Sequence, residues 1–104
     1  MTREVTIEQL KQARAEGALI IDVREPDEYA QGHVAGALSL PLSELPARTQ
    51  EVPKDPVVYL VCQGGGRSGQ AAELLSEAGH DVRPVAGGTK AWIESGGETS
   101  SDQG

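Results

Sequence analysis

Val57-Val58-Tyr59-Leu60-Val61-Cys62 is the most hydrophobic stretch of the chain, and Gln63-Gly64-Gly65-Gly66-Arg67-Ser68 follows it directly. The first six residues are apolar without alternation and rich in β-branched side chains, the pattern of a strand buried on both faces. Three consecutive glycines lack Cβ atoms, so the backbone can curl tightly and turn several N–H groups inward. A helix is predicted from Ser68 to Ala78, with Ala71, Ala72, Leu74, Leu75 and Ala78 on one apolar face and Gly79 as its stop. A strand that passes through a tight loop into a helix is a unit of an α/β domain with a parallel sheet.

Working outward, the same alternation recurs. Thr6 to Gly17 is predicted as a helix, with Thr6 as N-cap and Gln9 completing a capping box. Ala18-Leu19-Ile20-Ile21-Asp22-Val23 reads as a second buried strand. Glu25 to Tyr29 opens a short helix with Pro26 in its first turn, and Gly32 ends it. Ala37 to Leu40 is a short strand stopped by Pro41. Ser43 is expected to cap one or two helical turns that reach Thr49, before a proline-containing loop from Glu51 to Pro56. His80 to Val85 reads as a strand, and Gly87-Gly88 turns the chain into a last short helix from Thr89 to Glu94. Ligands in such sheets bind beyond the carboxyl ends of the strands, which is where Cys62 falls. Gly96 to Gly104 has no apolar residue, so the expectation is one domain over residues 1–95 and a disordered polar tail over 96–104.

The whole chain narrows the function classes. Its 104 residues suffice for one core. With no Phe, one Trp and two Tyr, that core must be aliphatic. Sixteen acidic against nine basic residues give a formal charge of -7, which argues against nucleic acid or an anionic membrane as the partner. No apolar run approaches a membrane span, and the first residues lack the apolar stretch of a secretory signal. One cysteine cannot form an internal disulfide, and a free thiol without an export signal leads to the expectation of a cytoplasmic location. Two histidines and one cysteine are too few for an ordinary protein metal site.

Cys62 is the candidate nucleophile. Loop N–H groups, a helix N-terminus and Arg67 all favour an anion there, and so favour thiolate over thiol. Gln63, Gly64, Gly65, Gly66, Arg67 and Ser68 form the candidate anion cradle. Asp22 and Arg24, at the end of a buried strand, need partners, and Glu28 is the nearest acid able to pair with Arg24. They read as structural support for the site rather than as catalytic groups. His33 is a candidate general base, but reads better as a ring hydrogen-bonded inside its turn that fixes entry to the next strand. His80 follows Gly79 and is expected to be exposed. With a single thiol, whatever Cys62 acquires must pass to an external acceptor.

Four segments together resemble the rhodanese-like sulfurtransferase family in its small single-domain form: Asp22 to Tyr29, Gly32 to Ala37, Cys62 to Ser68 and Gly87 to Trp92. The resemblance covers about Thr6 to Trp92. It implies a three-layer α/β fold with a five-stranded, mostly parallel sheet and helices on both faces. It implies that Cys62 takes a sulfur from a donor such as thiosulfate, becomes a persulfide, and yields that sulfur to cyanide or a thiol. No metal or organic cofactor is needed. Arg67 would orient the loop or hold the donor. The alternatives are a relay module that delivers sulfur to a partner protein, and phosphatase or arsenate reductase chemistry. Related cell-cycle phosphatases place five residues between cysteine and arginine, where this chain has four. Members specialised for thiosulfate often carry a basic residue in the loop, where Gln63 and Gly64 stand here.

Overall fold

A computed structural model describes residues 3–54 and 56–101. Four parallel strands form the central sheet: β1 (Leu19–Asp22), β3 (Leu38–Ser39), β4 (Val58–Val61) and β5 (Val82–Pro84), in the order β3-β1-β4-β5. Alternate residues of β1 and β4 bury on opposite faces. Ile21, Val58 and Leu60 pack with Ala71, Ala72 and Leu75 of α3 (Gly66–Glu77). Ile20 and Val61 pack on the other face with Ile7 and Leu10 of α1 (Ile7–Ala15) and Trp92 of α4 (Gly88–Glu94). Helices thus cover both faces, which is why these strands read as continuous apolar runs.

The expected fifth strand is reduced to one bridge. Val5 pairs in parallel with Val85, its N–H donating to Pro84 O (2.9 Å) and its carbonyl accepting from Ala86 N–H (2.8 Å). The capping box of α1 forms as predicted, with Thr6 and Gln9 exchanging two hydrogen bonds. The expected Ser43 cap does not form. Two 3-10 turns, Leu45–Ala47 and Thr49–Glu51, occupy that stretch, and the Ser43 hydroxyl donates to Glu25 Oε2 (3.1 Å). Pro46 falls in the first of these turns, and a segment this short gains more by burying Leu45 and Val52 than by extending a helix.

Two expectations are corrected. His80 is buried, not exposed: Nδ1 lies 3.1 Å from Leu75 O and Nε2 2.9 Å from Val52 O, so the ring ties the end of α3 to the turn before β4. Residues 96–101 are not a disordered tail. Thr99–Ser100 form β6, antiparallel to β2 (His33–Val34). Trp92 Nε1 and Ala35 N–H both donate to Glu98 O, at 2.8 and 3.0 Å, and Arg14 pairs with the Glu98 carboxylate. Backbone and indole donors order this segment without any apolar side chain of its own, which a composition argument cannot foresee. Residues 102–104 of the expected tail lie outside the described residues.

Candidate active site

The chain runs from β1 outward to β3 and then crosses back to β4 on the other side of β1. The carboxyl ends of β1 and β4 therefore flank the switch point of the sheet, where ligands bind in folds of this kind. Asp22 is in register with Val61, so the ends of the two strands set Asp22 and Arg24 beside Cys62.

Cys62 lies at the floor of the loop, 1% exposed. Gly65 N–H donates to its Sγ at 2.9 Å. The thiol in turn donates to Ser68 Oγ at 3.7 Å, and the Ser68 hydroxyl donates to Gly65 O at 2.9 Å. Gly65 makes this geometry possible. It adopts φ +119° as the N-cap of α3, a conformation strained for any residue with a Cβ. The helix begins at Gly66, two residues before the predicted start, so Arg67 sits in its first turn. A sulfur atom facing an amide donor at the head of a twelve-residue helix is placed to hold negative charge.

The charged residues are paired differently from expectation. Arg24 does not bind Glu28. Its guanidinium donates to both Asp22 carboxylate oxygens, at 2.8 to 3.1 Å, and its backbone N–H donates to Asp22 Oδ1 at 3.0 Å. Both residues are buried, and a charge two positions away is the nearest available counter-ion. Arg24 also donates to Gln63 Oε1 (3.1 Å) and Gly32 O (2.8 Å), fixing the first side chain of the loop from below. Gln63 is thereby anchored to the platform, and Gly64 is exposed beside it.

Glu28, in the first turn of α2 (Pro26–Ala30), binds Arg67 instead. The pair is bidentate, with Nη1–Oε1 at 2.7 Å and Nη2–Oε2 at 2.9 Å, each side chain about one-third exposed. Hydrogen bonding to Arg67 holds the Glu28 carboxyl at about 2, below its ordinary 4.5, against the opposing effect of burial. The same contact, opposed by burial, raises the Arg67 guanidinium, and the charges of Cys62 and Asp22 add to it.

His33 is buried where the sequence suggests. Its Nδ1–H donates to Tyr29 O at 2.9 Å, and its ring stacks on Tyr29 with centroids 3.6 Å apart. The Tyr29 hydroxyl donates to Ala37 O at 2.5 Å, which ties α2 to the approach of β3.

One part of the site was not assigned from sequence. The start of α4 grips the loop from behind: Thr89 N–H donates to Cys62 O at 2.7 Å and Lys90 N–H to Gln63 O at 3.1 Å. A Cβ on Gly88 would lie 2.3 Å from Cys62 O, so the Gly87-Gly88 pair allows this close approach. The glycine pair was the available signal. Thr89 is fully buried and its hydroxyl has no partner among the described residues. Among the described residues no group of three or more His, Cys, Asp or Glu is placed to hold a metal ion.

Comparison with known proteins agrees with this architecture. Residues 6–95 match the rhodanese-like domain family. A sulfurtransferase of Allochromatium vinosum is 40% identical over 99 residues, covering 92% of this chain and 92% of that protein. The thiosulfate sulfurtransferase PspE of Escherichia coli is 46% identical over 72 residues, covering 67% of this chain and 69% of that protein. The uncharacterized protein YqhL of Bacillus subtilis is 46% identical over 76 residues, and the matched part is 72% of this chain but only 60% of that protein. The crystal structure of a rhodanese-related protein from Thermoplasma volcanium superposes with a TM-score of 0.90 at 31% identity, covering 96% of this chain and 99% of that one. A match that takes in the sheet, the cysteine loop and the α4 grip alike means that this chain belongs to the rhodanese-like domain family.

Proposed function

We propose that the protein is a sulfurtransferase that carries sulfane sulfur on Cys62, from thiosulfate or a low-molecular-weight persulfide to cyanide or a thiol. The observation that supports this most is the Gly65 N–H, 2.9 Å from Sγ at the head of α3, in a loop with four residues between cysteine and arginine. In the first half-reaction the Cys62 thiolate attacks the outer sulfur of the donor. The Sγ–S bond forms as the donor's S–S bond breaks, and sulfite or a thiolate leaves with the bonding pair. In the second, the acceptor attacks the outer sulfur of the persulfide, and Cys62 leaves as thiolate. Both half-reactions put negative charge on sulfur inside the loop, where the Gly65 N–H, already oriented, stabilises it without reorganisation.

The acceptor is external, because the chain has one cysteine. The chemistry calls on no metal or organic cofactor. The relatives named sulfurtransferases in A. vinosum and E. coli support the reaction class. A protein thiol as acceptor uses the same persulfide, and a reduced nucleophile suits a reducing compartment such as the cytoplasm. Among the described residues no helix is long and apolar enough to cross a membrane.

The test is intact mass after incubation of the reduced protein with thiosulfate and removal of the excess. The expected result is a gain of one sulfur atom, absent in Cys62→Ser. A gain with glutathione persulfide alone keeps the chemistry and changes the donor. No gain with either donor rejects the proposal, and turnover of an aryl phosphate instead would move the reading to oxyanion chemistry.

A further inference from the structure

The one cation of the cysteine loop is already paired. Arg67 is the only basic residue between Cys62 and the body of α3, and both ends of its guanidinium are bound to Glu28. The other arginine of the site, Arg24, is buried against Asp22. A donor anion therefore meets amide dipoles but no unpaired arginine of the loop, on a chain of formal charge -7. The carboxylate is firmly held: besides Arg67, Glu28 Oε1 accepts from the Glu25 backbone N–H at 3.1 Å, as part of the capping box of α2.

We propose that Glu28 is a positioning residue that sets the donor charge the site accepts, by neutralising Arg67 and so disfavouring dianionic donors relative to monoanionic or neutral ones. This rests on the sulfurtransferase reading above and names the substrate class for that site. A dianion gains twice as much as a monoanion from a free guanidinium, and loses twice as much when a carboxylate cancels it. Selection by charge alone is possible because donors of different charge deliver the same atom. Thiosulfate is a dianion and releases sulfite. Methanethiosulfonate is a monoanion and releases methanesulfinate. In each case the Sγ–S bond replaces the donor's S–S bond, and Cys62 carries the same persulfide.

The experiment compares these two donors on wild type and Glu28→Gln, with cyanide as acceptor. Glutamine keeps an oxygen for the Glu25 N–H and Arg67 Nη1, and removes the charge together with the acceptor for Arg67 Nη2. The thiosulfate-to-methanethiosulfonate ratio of kcat/KM is expected to rise about 10-fold in Glu28→Gln, chiefly through a lower KM for thiosulfate. In Glu28→Gln with Arg67→Gln that gain is expected to disappear. An unchanged ratio, or an equal fall for both donors, would overturn the proposal and leave the pair as a brace between α2 and α3. A gain that survives loss of Arg67 would overturn the route through the arginine.

Salt dependence of the unmodified protein gives a second measure that requires no variant to fold. With Arg67 neutralised, raising ionic strength screens repulsion and speeds persulfide loading from thiosulfate more than from methanethiosulfonate. Slower loading from thiosulfate as salt rises would show an attractive site and overturn the proposal. If wild type takes sulfur by mass from glutathione persulfide but from neither of these donors, the charge-selection proposal is overturned. If it takes sulfur from none of the three, the sulfurtransferase reading itself fails, an outcome visible before any ratio is formed.

Discussion

Asp22 reaches the loop after β4 through one residue, Arg24. Its side chain is fully buried, that of Arg24 is 4% exposed, and together they hold Gln63. Removing one member of a buried pair leaves the other charge without compensation, typically at a cost of about 3–5 kcal/mol. Asp22→Asn is therefore expected to lower unfolding stability by about that amount in urea titration, and to loosen the first residue of the loop. A loss within error of zero would show that Gly32 O and Gln63 suffice as partners for Arg24. The contrast between Asp22 and Glu28 shows which residue-level facts a sequence carries. A buried strand ending in Asp-Val-Arg announces that its charges need partners. Which acid serves which arginine depends on how α2 approaches α3, and Glu28 and Arg67 are far apart in sequence. His80 misleads for the same reason. Its two carbonyl partners, on Val52 and Leu75, come from separate segments that only the folded chain brings together.

Among the elements, the loop after β4 and the start of α4 act as a pair. Gly88 has φ +56°, and a Cβ there would meet the Cys62 carbonyl at 2.3 Å, with Gln63 O at 2.9 Å. Neither backbone atom can yield without moving the loop. Gly88→Ala is expected to cost about 1–3 kcal/mol from overpacking and to slow persulfide formation, as checked by thermal unfolding and by the mass assay. Normal loading in that variant would show that the loop tolerates displacement from behind. Elements defined by local rules were legible: the Thr6–Gln9 capping box, Pro26 at the head of α2, and the runs that became β1 and β4. Ser43 shows the limit of such rules. It has a good capping residue type, but the two 3-10 turns beyond it present no α-helix to cap.

For the molecule as a whole, the segment after α4 is a strap rather than a tail. Gly97 lies against the Trp92 indole, where a Cβ would come within 2.2 Å of the ring, and Glu98 O accepts from both Trp92 Nε1 and Ala35 N–H. Ending the chain after Gly96 removes that acceptor and the β2–β6 pairing. At about 0.5–1.5 kcal/mol per hydrogen bond, the expected loss is about 2–4 kcal/mol. Because the chain has one tryptophan, its emission should shift to longer wavelength as water reaches the ring. Unchanged emission and stability would assign the strap no part in holding α4.

The grip of α4 on the loop also gives the candidate anion cradle its polarity. A peptide unit is rigid and planar, with its carbonyl and its N–H on opposite sides. Thr89 and Lys90 draw the carbonyls of Cys62 and Gln63 rearward. The Gln63 and Gly64 amides must then aim their hydrogens forward, away from α4. The direction of the field around the sulfur is therefore written partly in a helix more than twenty residues downstream, and a change that re-aims those carbonyls would alter the cradle without touching the loop.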